Sequence, residues 1–366
     1  MKSSFKIANL ASLSFSLLLI ADAQVITYVD LHPAGALFSR AFATMGGQQA
    51  GEAYFGRQHA VTWSGTAASF VDLHPAGAVV SQAFATAGNQ QAGVALFGGM
   101  AHAGIWSGTA GSFVDLNPAG ASESYVRAMT GSQQAGFAYF GGSAKAGIWS
   151  GTAGSFVNLN PAGASVSRVF ATSGSQQAGD VSFNGPSHAA IWSGTADSFV
   201  DLHPAGAHTS TLISTIETQQ VGFIYGPGLV VHAGMWSGTA ESFVDLNPPG
   251  AYESYASGTI GTHQVGNANA HAGFWSGTAA SFLDLGASLG PNYGQSYASS
   301  IWTDGSTILV AGHAIDIPSQ TEHAILWTIV PEPSTAGIAL ATLVGLAILR
   351  RSKRAKPIPQ KWISSQ

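Results

Sequence analysis

Apolar and polar positions along this chain alternate in short bursts separated by glycine-rich turns, and the bursts come in sets of four. One set comprises residues 81–86, 91–97, 102–106 and 112–116. Each burst is rich in aromatic or β-branched residues and bounded by turn chemistry: Gly-Asn, Gly-Gly, Ser-Gly-Thr, then Asn-Pro-Ala-Gly. These are strand signatures, and no window carries the 3.6-residue spacing of a helix. Four strands and their turns consume roughly 40 residues, the size of one four-stranded antiparallel propeller blade.

The set repeats. Trp-Ser-Gly-Thr-Ala begins at Trp63, Trp106, Trp149, Trp192, Trp236 and Trp275, and a seventh third-strand stretch ends at Trp327. A Gln/Gly stretch recurs around Gly51, Gly93, Gly136, Gly179, Gly222, Gly266 and, degenerately, Gly312. The Asp-Leu strand also recurs, but its first copy, residues 25–31, stands alone at the N-terminal end, and the copy ending at Trp327 lacks one. The chain therefore begins with the strand its final unit is missing. Pairing the two removes the exposed edges of an open array. The expected fold is all-β: a seven-bladed β-propeller over residues 24–329, closed by the N-terminal strand. A linear β-solenoid is the alternative, and it would not need complementary ends.

Both ends differ from the body. Residues 1–23 carry Lys2 and Lys6, an apolar run over 10–20, and Ala21-Asp22-Ala23. Small residues at Ala21 and Ala23 fit a signal-peptidase site, with Gln24 as the mature N-terminus. At the other end, Pro331-Glu332-Pro333 precedes an uncharged apolar stretch, residues 335–349. Arg350, Arg351, Lys353 and Arg354 follow, and then a basic tail, residues 355–366. Fifteen residues make roughly 23 Å of helix, somewhat short of the ~30 Å hydrocarbon core. A C-terminal transmembrane helix is expected, with the basic cluster and tail in the cytoplasm and the body outside it. A short span behind a helix-breaking motif suits a transient anchor in the inner membrane.

This arrangement over residues 330–354 resembles the PEP-CTERM sorting signal of Gram-negative, biofilm-forming bacteria. The resemblance implies processing near Pro331, Glu332 and Pro333 by an exosortase, a membrane cysteine transpeptidase. The body resembles the HAF family of extracellular repeats. The residues that carry this are His-Ala-x-x-Trp, as at 323–327 and 271–275, the following Asp284-Leu285, and Gln264-Val265-Gly266. That resemblance implies a propeller-like extracellular module and brings no catalytic residues.

Charge changes meaning once the ends are set aside. The whole chain carries 13 basic and 18 acidic residues, of which 5 basic and 16 acidic lie in the body. Such a body has no basic stripe for phosphate backbones, which argues against nucleic acid as a partner. With no cysteine, its stability rests on packing without disulfides.

Most chemistry-bearing residues recur once per unit, which marks them as scaffold. Histidine stands four residues before the tryptophan at His59, His102, His188, His232, His271 and His323, with Lys145 in the third unit. A ring of imidazoles suggests metal, but Lys145 cannot ligate while protonated, and equivalent sites on different blades lie too far apart for one ~2 Å coordination sphere. Aspartate recurs at Asp30, Asp72, Asp115, Asp201, Asp245 and Asp284, with Asn158 as the fourth copy. One carboxylate per unit is poor support for calcium. Each histidine is expected to bond within its own blade, each aspartate to a backbone turn, and each tryptophan to pack between blades rather than stack on sugars. Trp302 falls outside the register. The glutamine pairs, from Gln48-Gln49 to Gln219-Gln220, are expected to hydrogen-bond at strand entry.

No cofactor, metal or catalytic constellation is expected. The leading expectation is an exported, non-enzymatic repeat protein of the cell surface or matrix, contacting polysaccharide or protein. Unit-to-unit differences concentrate at 52–58, 180–187, 223–231 and 315–322, before the His-Ala strands, and mark the expected binding face. The alternative is a secreted propeller enzyme, a lyase or hydrolase of polysaccharide, which needs acidic or histidine residues unique to some blades and converging on the axis.

Overall fold

The computed structural model describes residues 24–331. The signal peptide with Ala21 and Ala23, and Glu332, Pro333, the apolar stretch, Arg350, Arg351, Lys353, Arg354 and the tail lie outside the described residues. Among the described residues no helix is long and apolar enough to cross a membrane.

Seven four-stranded sheets make up the structure. In the first blade the strands are Ser39–Met45, Gln48–Tyr54, Gln58–Trp63 and Val71–Asp72, in that spatial order and antiparallel. Five more blades repeat this plan. The seventh takes Tyr293–Thr303, Ile308–Asp316 and Thr321–Pro331, and its outer strand is Gln24–Asp30 from the other end of the chain. The expected closure is present, and an open solenoid is excluded. The last strand runs to Pro331, so the first proline of the Pro-Glu-Pro motif belongs to the sheet.

Fourth strands are shorter than the pattern suggests. Residues 112–116 read as one strand, but Ala110–Ser112 is a 3-10 turn and only Val114–Asp115 pairs. The aspartate ends the strand itself: its Oδ1 accepts the N–H two residues on, as from Asp115 to Asn117 at 2.7 Å. Such side-chain turns compete with the ladder.

The core lies between blades. One hydrophobic cluster fills each of seven blade-to-blade junctions, including the one that joins the last blade to the first: Leu326, Ala324 and Ala311 against Leu31, Trp63 and Val61. Each tryptophan of the repeat is fully buried and packs on the preceding blade's alanines, as Trp106 does on Ala50 and Ala60. A large side chain against small ones lets twisted sheets approach closely without voids.

The recurrent pentapeptide is the hairpin between third and fourth strands. In the first copy Gly65 adopts φ 81° and donates its N–H to Gln49 Oε1 at 2.9 Å. Ser69 Oγ accepts from Ser64 N and donates to Thr66 O. Glycine is needed there for the positive φ.

A second device, invisible in the motif, locks neighbouring blades. Every inner strand carries a buried serine: Ser39, Ser81, Ser124, Ser167, Ser210, Ser254 and Ser296. Each Oγ accepts the N–H of an alanine on the preceding blade's third strand, at 2.8–3.0 Å. The circuit includes Ala324 N–H to Ser39, across the closure.

Candidate functional site: the central channel

Each inner strand carries a β-bulge at the same place. Register shifts fall between Ala41 and Ala43, Ala83 and Ala85, Val126 and Ala128, Val169 and Ala171, Leu212 and Ser214, Ala256 and Gly258, and Ala298 and Ser300. A bulge re-aims the extra residue. Here it points that residue at the axis: Phe42, Phe84, Arg127, Phe170, Ile213, Ser257 and Ser299 alone line a cavity of about 260 Å³. The same ring borders a second cavity of about 310 Å³, which extends to the ends of the inner strands and is also lined by Trp302.

Opposite each bulge sits the glycine of the Gln/Gly stretch. A Cβ on Gly93 would lie 2.0 Å from the Gln82 carbonyl oxygen, and the other six positions are alike. The glycine therefore admits the carbonyl that the bulge turns toward it.

The channel wall is lopsided. Phe42, Phe84, Phe170 and Ile213 make an apolar arc, and Arg127 lies within it. The Arg127 guanidinium is 4.0 Å over the Phe84 ring. Burial pulls its pKa below the ordinary arginine value, and no carboxylate offsets this. Across the axis, Ser257 and Ser299 present hydroxyls.

The channel end where inner strands begin and second strands finish also carries the second-to-third-strand loops, residues 52–58, 180–187, 223–231 and 315–322. The expected variable face is thus one surface. Three of its acids are paired with arginines. Glu52, with no exposed surface, accepts from Arg40 Nη1 at 3.0 Å, Gln82 Nε2 at 2.6 Å and Gln58 Nε2 at 3.2 Å. Arg40 also bonds Glu322 of the last blade. Arg168 grips buried Asp180 through two nitrogens, at 3.0 and 2.6 Å. Burial holds the Asp180 carboxyl above the usual range, with Arg168 opposing. His313, stacked on Tyr297, is pushed down to about 4, chiefly by burial.

The repeated histidines and aspartates prove to be one feature. His59 Nδ1 meets Asp72 Oδ2 at 2.8 Å, and His102–Asp115, His188–Asp201, His232–Asp245, His271–Asp284 and His323–Asp30 follow at 2.7–3.0 Å. Lys145 and Asn158, the two exceptions, occupy the same pair in one blade. There Lys145 Nζ donates to the Ala164 and Ser165 carbonyls instead. Among the described residues no three or more histidines and carboxylates are grouped so as to hold a metal ion. The glutamine pairs reach further than strand entry: Gln48 of the first blade bonds Thr86 and Gln91 of the second.

Sequence reasoning missed the bulged column. Its residue types differ from blade to blade, so repetition hid it; its one signal is a fixed place three residues after the inner-strand serine.

No family model matches the chain, and no curated protein is similar to it in sequence. Solved structures are similar in fold. A puromycin-hydrolyzing peptidase from Mycobacterium tuberculosis aligns at TM-score 0.50 and 12% identity, over 81% of this chain and 54% of the peptidase. A TolB from Agrobacterium tumefaciens aligns at 0.45 and 10%, over 62% of this chain and 88% of TolB. Trypanosoma rangeli sialidase in complex with sialic acid aligns at 0.41 and 9%, over 94% and 64%. At these identities the likeness shows the propeller fold alone.

Proposed function

We propose that this chain is an exported, non-enzymatic β-propeller, sorted to the cell surface or extracellular matrix, where its loop-bearing channel end contacts polysaccharide or protein. The observation that carries the non-enzymatic reading is the use made of the recurrent histidines and aspartates and of two fully buried acids. The recurrent His and Asp bond one another, and the blade-specific acids Glu52 and Asp180 are buried under arginines. A hydrolase or lyase needs a carboxylate or imidazole free to move a proton at the substrate.

Export and sorting rest on the sequence of the two ends. Signal peptidase would cut after Ala23. The short apolar helix would then hold the body at the inner membrane until an exosortase-type transpeptidase acts at Pro331-Glu332-Pro333. The HAF-like repeats and PEP-CTERM-like end agree with such a route. Tagged chains with and without residues 331–333, expressed in an exosortase-bearing host, test it by mass and location. Processing and release of the first form alone are expected; identical size and retention of both would refute sorting. Turnover of an acidic or neutral polysaccharide by the purified chain would instead favour the enzyme reading.

A further inference from the structure

We propose that the central channel is a binding site for a single hexuronic acid, a pyranose ring bearing a carboxylate, with Arg127 as the anion anchor. This site is separate from the loop face and independent of the sorting route.

Three observations converge on that chemistry. First, Arg127 is one of only five basic residues in the body, and the only one on the channel ring. The other two inner-strand arginines, Arg40 and Arg168, are paired with carboxylates. Arg127 stacks on Phe84 but makes no hydrogen bond or ion pair among the described residues, and its surroundings desolvate it. An unpaired guanidinium facing a cavity offers a planar fork matched to a carboxylate. One charge without a nest of backbone N–H groups suits a monoanion better than a phosphate.

Second, Phe170, in the blade next to Arg127, and Phe42 line the cavity with aromatic rings, while Phe84 lies under the guanidinium. The first two suit the C–H face of a pyranose. Third, Ser257 and Ser299 stand on the sixth and seventh blades, across the axis from Arg127 on the third. Their hydroxyls are unpaired among the described residues and can meet ring hydroxyls. The two cavities, about 260 and 310 Å³, sit at the small end of ligand pockets, roughly 300–1,000 Å³. Both share the ring of seven residues, and together they leave room for one pyranose ring.

The test titrates the full-length chain with galacturonate and glucuronate by calorimetry, beside galactose, glucose and benzoate. Saturable binding of at least one hexuronate is expected, with the neutral sugars and benzoate at least about tenfold weaker. The informative variant is Arg127→Phe, because phenylalanine already occupies this position in the first, second and fourth blades and so fits the bulge. It should lose about 10- to 100-fold in hexuronate affinity, the range for one charge-assisted contact, while its denaturation midpoint stays near wild type. Arg127→Lys should keep part of the affinity. Ser257→Ala with Ser299→Ala should weaken the hexuronate and leave benzoate unchanged. No saturable hexuronate binding, benzoate binding as tightly as the hexuronates, or an Arg127→Phe chain that binds like wild type would each overturn the proposal. None of these results bears on sorting, which is read from processing and location.

Discussion

Removing one hydroxyl from the inter-blade circuit should cost more than its size suggests. Ser81 Oγ accepts the buried Ala60 N–H at 2.9 Å and contacts His74 Nδ1 at 2.8 Å, while His74 Nε2 reaches the Ala78 carbonyl at 3.1 Å. The serine hydrogen goes to Nδ1, so this imidazole is neutral with its proton on Nε2. Asn117, Asn160 and Asn247 reproduce the arrangement: Asn117 Oδ1 accepts from Ser124 and its Nδ2 donates to the Ala121 carbonyl. Ser81→Ala leaves Ala60 N–H without an acceptor in a fully buried place, and His74 Nδ1 without a donor. An unsatisfied buried group costs about 1–3 kcal/mol; with His74 half-exposed, the total should be about 2–4 kcal/mol. Urea unfolding measures this, with Ser64→Ala, an exposed turn position, as a control expected to stay within about 0.5 kcal/mol. Amide exchange at Ala60 should quicken in the variant. A Ser81→Ala chain within about 0.5 kcal/mol of wild type, with Ala60 still protected, would refute the reasoning.

Three further outcomes are expected. Gly93→Ala puts a Cβ 2.0 Å from a backbone carbonyl that cannot swing away, so a loss of about 3 kcal/mol or more is expected by urea unfolding, against under 1 for Gly111→Ala, where the space is open. Asp115→Asn keeps the oxygen that caps Asn117 and loses only the half-exposed pairing with His102, so it should cost no more than about 1 kcal/mol; Lys145→His with Asn158→Asp should recover a coupling of similar size by double-mutant cycle. His32, His74 and His203 have pKa values lowered first by burial and then by the imidazoles stacked 3.9–4.0 Å away, His323, His59 and His188. With the folded value below the unfolded 6.5, their stabilisation is complete above about pH 6.5 and is lost as pH falls through the folded values. Midpoints measured from pH 7.5 to 5 should drop, and His32→Asn/His74→Asn/His203→Asn should flatten that slope.

The architecture was legible because repetition and complementarity are properties of order. Seven Trp-ending strands, and an orphan Asp-Leu strand at the far end, admit one closed arrangement. The roles of His and Asp were legible only singly. Their partnership, 13 residues apart across a hairpin, emerges from register, and the joint exception at Lys145 and Asn158 is its trace in the sequence. The channel ring was hidden for a physical reason. Phe42 and Phe84 look like core by composition, and strict alternation would place them with neither the serine nor the alanine of their own strand. The bulge breaks that alternation at the very residue concerned, and the Arg40 and Gln82 carbonyls two residues earlier are accommodated only because Gly51 and Gly93 lack a side chain.

The shared last blade sets an order of events for a chain made from its N-terminal end. Of the propeller's strands, residues 24–30 appear first, yet their partners, residues 321–331, appear last. Until then Val25, Ile26 and Val29 form a strand with no sheet to join, beside six blades whose own four strands are contiguous. Bringing such distant segments together carries a loop entropy that grows as (3/2)RT ln n, about 5 kcal/mol for some 300 residues against about 3 for one blade. Closure therefore carries about 2 kcal/mol more loop entropy than forming a blade from contiguous strands. It also makes the ring a test of its own completeness: a chain that stops after residue 316 leaves one edge of Ile308–Asp316 and the whole first strand without a partner, the form most open to capture by proteases or by another copy.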